Sequence, residues 1–181
     1  MSNVTLYLYL SETEIDRPLS RALRDRAAAI SFGECVSFAE TAEGEKPRFS
    51  APSGAFFNVT HTKNLFCMAV SDAEVGIDAE AFPKRCERKR ALAERFFTEE
   101  ENAELADLEG SAFSETFALF WTRHEAMAKY TGKGLSAVFG KEEPPVFLTD
   151  LTALLASLGI DAALTLCTKD VPSVTLDFLE D

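Results

Sequence analysis

Among the segments of this chain, Val75–Glu80, with the sequence VGIDAE, most restricts what the rest can be. An apolar lead of Val75, Gly76 and Ile77 followed by Asp78-Ala79-Glu80 reads as a short, half-buried strand with acids at its exit. Alternate residues of a strand share a face, so Asp78 and Glu80 project the same way. Two carboxylates on one face repel unless a cation or a basic side chain lies between them. Taken alone, the pattern also fits a solvated strand end. The flanking sequence decides between the two.

A chain of 181 residues with 46% hydrophobic and 27% charged residues is globular in composition, and forms one domain or two small packed halves. It can bury roughly 70% of its unfolded surface. A net charge of −12 argues against nucleic acid or an anionic membrane as partner, since both need a positive field. Four cysteines without a CxxC pair fit neither a zinc site nor a disulfide framework and point to a reducing compartment. The start, MSNVTLYLYL, lacks the basic and long apolar regions of a signal peptide, and no apolar run approaches the ~20 residues that span a bilayer. The expected location is cytoplasmic.

Val4–Leu10 predicts a strand and Pro18 the first turn of a helix to about Ile30. That helix stacks Arg17, Arg21 and Arg24 along one side, as a solvated face or an anion cradle. Phe56–Thr62 reads as extended and Leu65–Val70 as a buried strand. The turn Ser71–Glu74 then predicts a hairpin into VGIDAE, which brings His61 near the acids if its strand neighbours theirs. Phe82-Pro83 marks the midpoint, giving an N-terminal α/β half, 1–82, and a C-terminal half, 83–181. The basic run KRCERKR, Lys84–Arg90, is either a docking patch or a solvated helix face. Thr98 caps a helix whose first turn holds Glu99, Glu100 and Glu101. A longer helix from about Ser114 to Tyr130 aligns Trp121, Glu125 and Lys129, and ends at Gly132-Lys133-Gly134. Pro144-Pro145 marks a linker. A helix over 149–158 and a closing pair of strands, 162–168 and 173–179, complete the expectation.

Three carboxylates (Asp78, Glu80, Glu125) and a set of cations (Lys46, His61, Lys129, Lys133) thus come from separate segments. Hard dications such as Mg²⁺ are held by a few carboxylates, with substrate phosphates and water completing the shell. Lysines and a histidine nearby would neutralise the remainder of a polyphosphate. These residues therefore point to metal-assisted chemistry on a pyrophosphate.

The ordered series EKPRF, FNVTHT, VGIDAE, RFFTEEE, WTRHEA and AKYTGKGL, from about Lys46 to Leu135, resembles the 4'-phosphopantetheinyl transferase superfamily. It is similar to the monomeric type that activates surfactin synthetase and other carrier-protein systems. The resemblance implies two similar α/β halves related by a pseudo-twofold axis, with coenzyme A in the cleft between them. It implies that Asp78, Glu80 and Glu125 bind Mg²⁺ or Mn²⁺, and that Glu125 also helps deprotonate the acceptor. Lys129, Lys46, Thr60, His61 and Lys133 would contact coenzyme A. The implied reaction is that of a holo-acyl-carrier-protein synthase: phosphopantetheine passes from coenzyme A to a serine of an apo acyl or peptidyl carrier protein, releasing adenosine 3',5'-bisphosphate. Carrier recognition helices are typically acidic, which suits Lys84–Arg90 as the docking patch.

The chain departs from the family pattern at His124, where lysine is usual, so a fixed positive charge beside the site is expected to be missing. Two alternatives follow: a non-catalytic relative that binds coenzyme A or a carrier protein, and a metal-dependent phosphohydrolase using the same acids.

Overall fold

The computed structural model describes residues 1–42, 45–83, 87–135, 138 and 145–180. The fold is mixed α/β. Strand β1 (Ser2–Leu10) is followed by helix α1 (Arg17–Phe32), the short strands β2 (Ser37–Phe38) and β3 (Phe49–Ala51), then β4 (Phe56–Thr62), β5 (Leu65–Ser71) and β6 (Val75–Ala81). Helices α2 (Glu87–Phe96), α3 (Glu99–Ala106) and α4 (Gly110–Thr131) come next, and β7 (Phe147–Asp150), α5 (Thr152–Ser157), β8 (Ala162–Thr168) and β9 (Pro172–Phe178) close the order.

One sheet runs β4-β5-β1-β9 and a second β6-β8-β7, with β2-β3 as a small separate pair. The apolar pattern dictates how they stack. All seven residues of β5 are buried, so both of its faces must be covered. Phe66, Met68 and Val70 pack with Leu23, Ala27 and Ala28 of α1. Leu65, Cys67 and Ala69 face Val75, Ile77 and Ala79 of β6 and Leu164 and Leu166 of β8. The second sheet's other face meets α4, where Cys167 packs with Ala126, Met127 and Ala128. The layers run α1, first sheet, second sheet, α4.

This stacking overturns the hairpin expected of Leu65–Val70 and VGIDAE. Strand β5 is already flanked by β1 and β4, so neither edge is open to β6. The Ser71–Glu74 turn instead carries the chain from one sheet to the other, where β6 pairs antiparallel with β8, Asp78 opposite Thr165. The closing strands do not pair with each other either, since β9 lies parallel to β1. The last helix is shorter than expected because Phe147–Asp150 pairs with β8 as a strand.

Local rules hold more simply at the helix starts. Asp16 caps α1 by accepting the Leu19 amide at 2.8 Å, and Thr98 and Glu101 form a reciprocal capping box on α3.

As an edge strand, β6 turns the amides of Ile77 and Ala79 away from β8. Two side chains of β4 meet them: Asn58 Oδ1 accepts from Ile77 at 3.2 Å, and Thr60 Oγ1 accepts from Ala79 at 3.0 Å. The seam between the sheets is thus joined by side-chain acceptors. Asn58→Ala leaves the buried Ile77 amide unsatisfied and is expected to cost about 1–3 kcal/mol, measurable by urea denaturation.

Candidate active site

Gly76, Asp78 and Glu80 share the face of β6 opposite Val75, Ile77 and Ala79, and Gly76 lies against α4. A Cβ there would lie 2.1 Å from the Ala126 carbonyl oxygen and 2.5 Å from the Tyr130 amide nitrogen. Glycine inside a strand signals such a close approach. It lets α4 press backbone to backbone on β6, which brings the helix stripe Phe117, Trp121, Glu125, Lys129 alongside the two strand acids.

Asp78 is 7% exposed. Its Oδ1 accepts from Lys129 Nζ at 2.7 Å and from Thr60 Oγ1 at 3.2 Å. Burial raises its carboxyl above the ordinary value, against the pull of Lys129 and Thr60. The Lys129 ammonium also donates to the carbonyls of Ile77 (3.1 Å) and Val59 (3.4 Å), so it sits where β4 meets β6. Glu80 Oε1 accepts from Lys89 of α2 at 2.8 Å. Glu125 accepts no hydrogen bond and forms no ion pair among the described residues. Burial pushes its carboxyl upward, and the charges of Asp78 and Glu80 push it further against the pull of Lys129. The three acids therefore lie in one electrostatic neighbourhood. Two hold lysines and the third is unpaired.

The other expected residues are spread around this centre. Lys46 reaches the seam from the opposite side, with side-chain exposure of only 8%. Its ammonium donates to Glu74 at 2.5 Å and to the carbonyls of Val75 (2.9 Å) and Tyr130 (3.1 Å), so it ties the start of β6 to the end of α4. Desolvation lowers its pKa, with Glu74 opposing. Strand β4 does neighbour β6, but Thr60 is the residue that reaches Asp78. His61 is exposed on the other face of the strand. Lys133 is exposed just past Gly132, the left-handed C-cap of α4.

His124 does not stand beside the acids. It is 4% exposed, stacks on Phe97 at 5.5 Å between ring centres, and hydrogen-bonds through Nε2 to the Glu101 carboxylate at 2.9 Å. Burial would raise the Glu101 carboxyl, but His124 and the Thr98 amide outweigh it and hold it below the ordinary value. The departure from lysine is therefore absorbed between α3 and α4.

Of the basic run, Lys84 and Arg85 lie outside the described residues. Arg90 turns inward, with its guanidinium 4.3 Å from the Phe113 ring centre and donating to the carbonyls of Leu105 and Leu108 at the end of α3. Neither Lys89 nor Arg90 is thus part of a purely solvated face. The Lys89–Glu80 and His124–Glu101 pairs and the Lys46 brace had no signal in the local pattern, since each joins segments distant in sequence.

Oxygen donors of this kind suit a hard dication. Among the described residues no three acid, histidine or cysteine side chains close into a ready-made cage. Water and substrate phosphate would therefore have to complete the shell of any dication these acids hold. The donor chemistry and the mutual repulsion of the acids both match such an ion.

Comparison with known proteins gives the family. The profile of the 4'-phosphopantetheinyl transferase superfamily matches residues 74–169, more than half of the chain and the span holding all three acids. The chain belongs to the 4'-phosphopantetheinyl transferase superfamily. It is similar to the superfamily member named 4'-phosphopantetheinyl transferase psf-1 of Bacillus pumilus, 32% identical over 142 residues, 78% of this chain and 55% of that protein. The 4'-phosphopantetheinyl transferase HetI of Nostoc sp. is 35% identical over 100 residues, 55% of this chain and 40% of that one. The 4'-phosphopantetheinyl transferase AcpT of Salmonella typhi is 35% identical over 91 residues, 50% and 47% respectively. The chain spans about half the length of these superfamily relatives or less. No helix among the described residues is long and apolar enough to cross a membrane.

Proposed function

We propose that this chain transfers 4'-phosphopantetheine from coenzyme A to a serine hydroxyl of an apo acyl or peptidyl carrier protein, releasing adenosine 3',5'-bisphosphate. The observation that carries the reading is that β6 and α4 bring Asp78, Glu80 and Glu125 into one electrostatic neighbourhood, within the span matched by the superfamily. Membership of the superfamily supports the reaction class.

Asp78, Glu80 and Glu125 would hold Mg²⁺ or Mn²⁺. When bound, that ion withdraws charge from the pyrophosphate and orients it. The protein residues supply the rest. A serine hydroxyl is a weak nucleophile at neutral pH and needs a base within hydrogen-bond reach. Glu125, half-buried and without a hydrogen-bond partner among the described residues, would take the serine proton. Lys129 brings fixed positive charge, and its 3.4 Å contact to the Val59 carbonyl is the weakest of its three and the one a phosphate oxygen would replace. Lys46 would exchange Glu74 for phosphate in the same way. Thr60, His61 and Lys133 are the remaining contacts proposed for coenzyme A. The chain would act in the cytoplasm as a monomer of two α/β halves related by a pseudo-twofold axis.

The test is incubation with Mg²⁺, coenzyme A and a panel of apo carrier proteins, followed by intact-mass measurement. A gain of one phosphopantetheine on the carrier is expected. No gain on any carrier would overturn the reading.

A further inference from the structure

Lys89 is the residue at this centre that the proposed chemistry leaves without a task. It enters from α2, and its ammonium stands 2.8 Å from Glu80 Oε1, 5.1 Å from the Phe117 ring centre and 5.7 Å from that of Trp121. The two rings lie on the α4 stripe that continues to Glu125. The pair is partly open, with side-chain exposures of 24% for Lys89 and 29% for Glu80. Both residues line a cleft of about 1220 Å³, and two further cations, Lys63 and Arg88, line the same cleft.

The two lysines at the centre are held differently. Lys129 has three acceptors, two of them backbone carbonyls, and keeps the Ile77 carbonyl and Asp78 even when a phosphate oxygen replaces Val59. Among the described residues Lys89 has a single hydrogen-bond acceptor, the carboxylate that a dication would also take, and it lines an open cleft. A partly exposed lysine–carboxylate pair is weak enough to exchange, whereas a dication carries twice the charge and binds oxygen directly. When the carboxylate is taken, aromatic faces keep the ammonium nearby.

We propose that Lys89 is a displaceable counter-ion: it neutralises Glu80 until a dication takes that carboxylate, then turns into the cleft to meet the anion that enters with the metal. The inference rests on the reading of Asp78, Glu80 and Glu125 as the metal acids. It assigns Lys89 the job of keeping these acids from repelling one another before the metal arrives.

The test uses Mn²⁺ alone, with no coenzyme A or carrier, and reads bound ion by electron paramagnetic resonance at low ionic strength. Lys89→Met is expected to bind Mn²⁺ about threefold to tenfold more tightly than wild type, because the competing charge is gone, and Lys89→Arg to bind as wild type does. Limited acetylation of the wild-type chain, read by peptide mass spectrometry, supplies a measurement that needs no variant. Mn²⁺ is expected to raise labelling of Lys89 at least threefold relative to Lys169, an exposed lysine. Unchanged or weaker Mn²⁺ binding by Lys89→Met, or labelling of Lys89 that Mn²⁺ leaves unchanged, overturns the displacement while leaving the metal acids standing. Failure of the wild-type chain to bind Mn²⁺ overturns both.

Discussion

Glu125→Gln is expected to lower phosphopantetheine transfer by at least about a hundredfold, the span over which a positioned base contributes, while making the fold slightly more stable at neutral pH. The two effects share one cause. The charged form of Glu125 is penalised first by burial and then by Asp78 and Glu80, with Lys129 only partly offsetting them. Because its folded pKa is raised, the native chain binds the proton more tightly than the unfolded chain. Wild-type stability therefore falls as pH rises from the ordinary carboxylate value, near 4.5, through the raised folded value, and then levels off. Glutamine carries no charge, so its advantage is full above that window and disappears below it. Thermal melts at about pH 8 and about pH 4 check this, with a gain of about 1–3 °C expected only at the higher pH. A variant less stable than wild type at the higher pH would show that Glu125 has a stabilising partner.

Gly76→Ala is the second large effect, and here the loss is in the fold. The added methyl would meet the Ala126 carbonyl at 2.1 Å and the Tyr130 amide at 2.5 Å, two atoms of one helical turn that cannot rotate away. Helix α4 must retreat from β6, which opens packing around Ala126, Met127 and Cys167. A cost of about 3 kcal/mol or more is expected, at the upper end for overpacking. Transfer should fall as well, since the same retreat draws Glu125 and Lys129 away from Asp78. Urea denaturation and the mass assay read the two losses separately. A variant with wild-type stability would mean that the helix does not rest on this glycine.

Where local pattern carries information, the chain is readable. The Thr98–Glu101 box, the Gly132 stop and the buried run of β5 follow from caps, left-handed backbone and apolar alternation, which act within a few residues. VGIDAE reads as a strand with its acids on one face for the same reason. Pairing across the molecule is different. The four residues between β5 and β6 suit a hairpin, and only the presence of β1 and β4 on the edges of β5 forbids it. Lys46 and Lys89 look like free cations in the sequence, yet each is committed to an acid met through tertiary packing. The bury-or-pair rule for charge says that partners exist without saying which. Next to Glu125 in sequence, His124 has other surroundings in the fold. A helix turns by about 100° per residue, which sends it to Glu101 instead.

The way β4 meets β6 has a mechanical consequence. Each of the two sheets keeps its own ladder, and between Asn58 and Ile77 and between Thr60 and Ala79 the connection is a pair of side-chain clasps. Prising the lobes apart at this line would release those clasps and the grip of Lys129, and would leave every strand pairing intact. What resists parting along the line of the acids is therefore side-chain clasps and the apolar face buried between the sheets, with no backbone ladder across it.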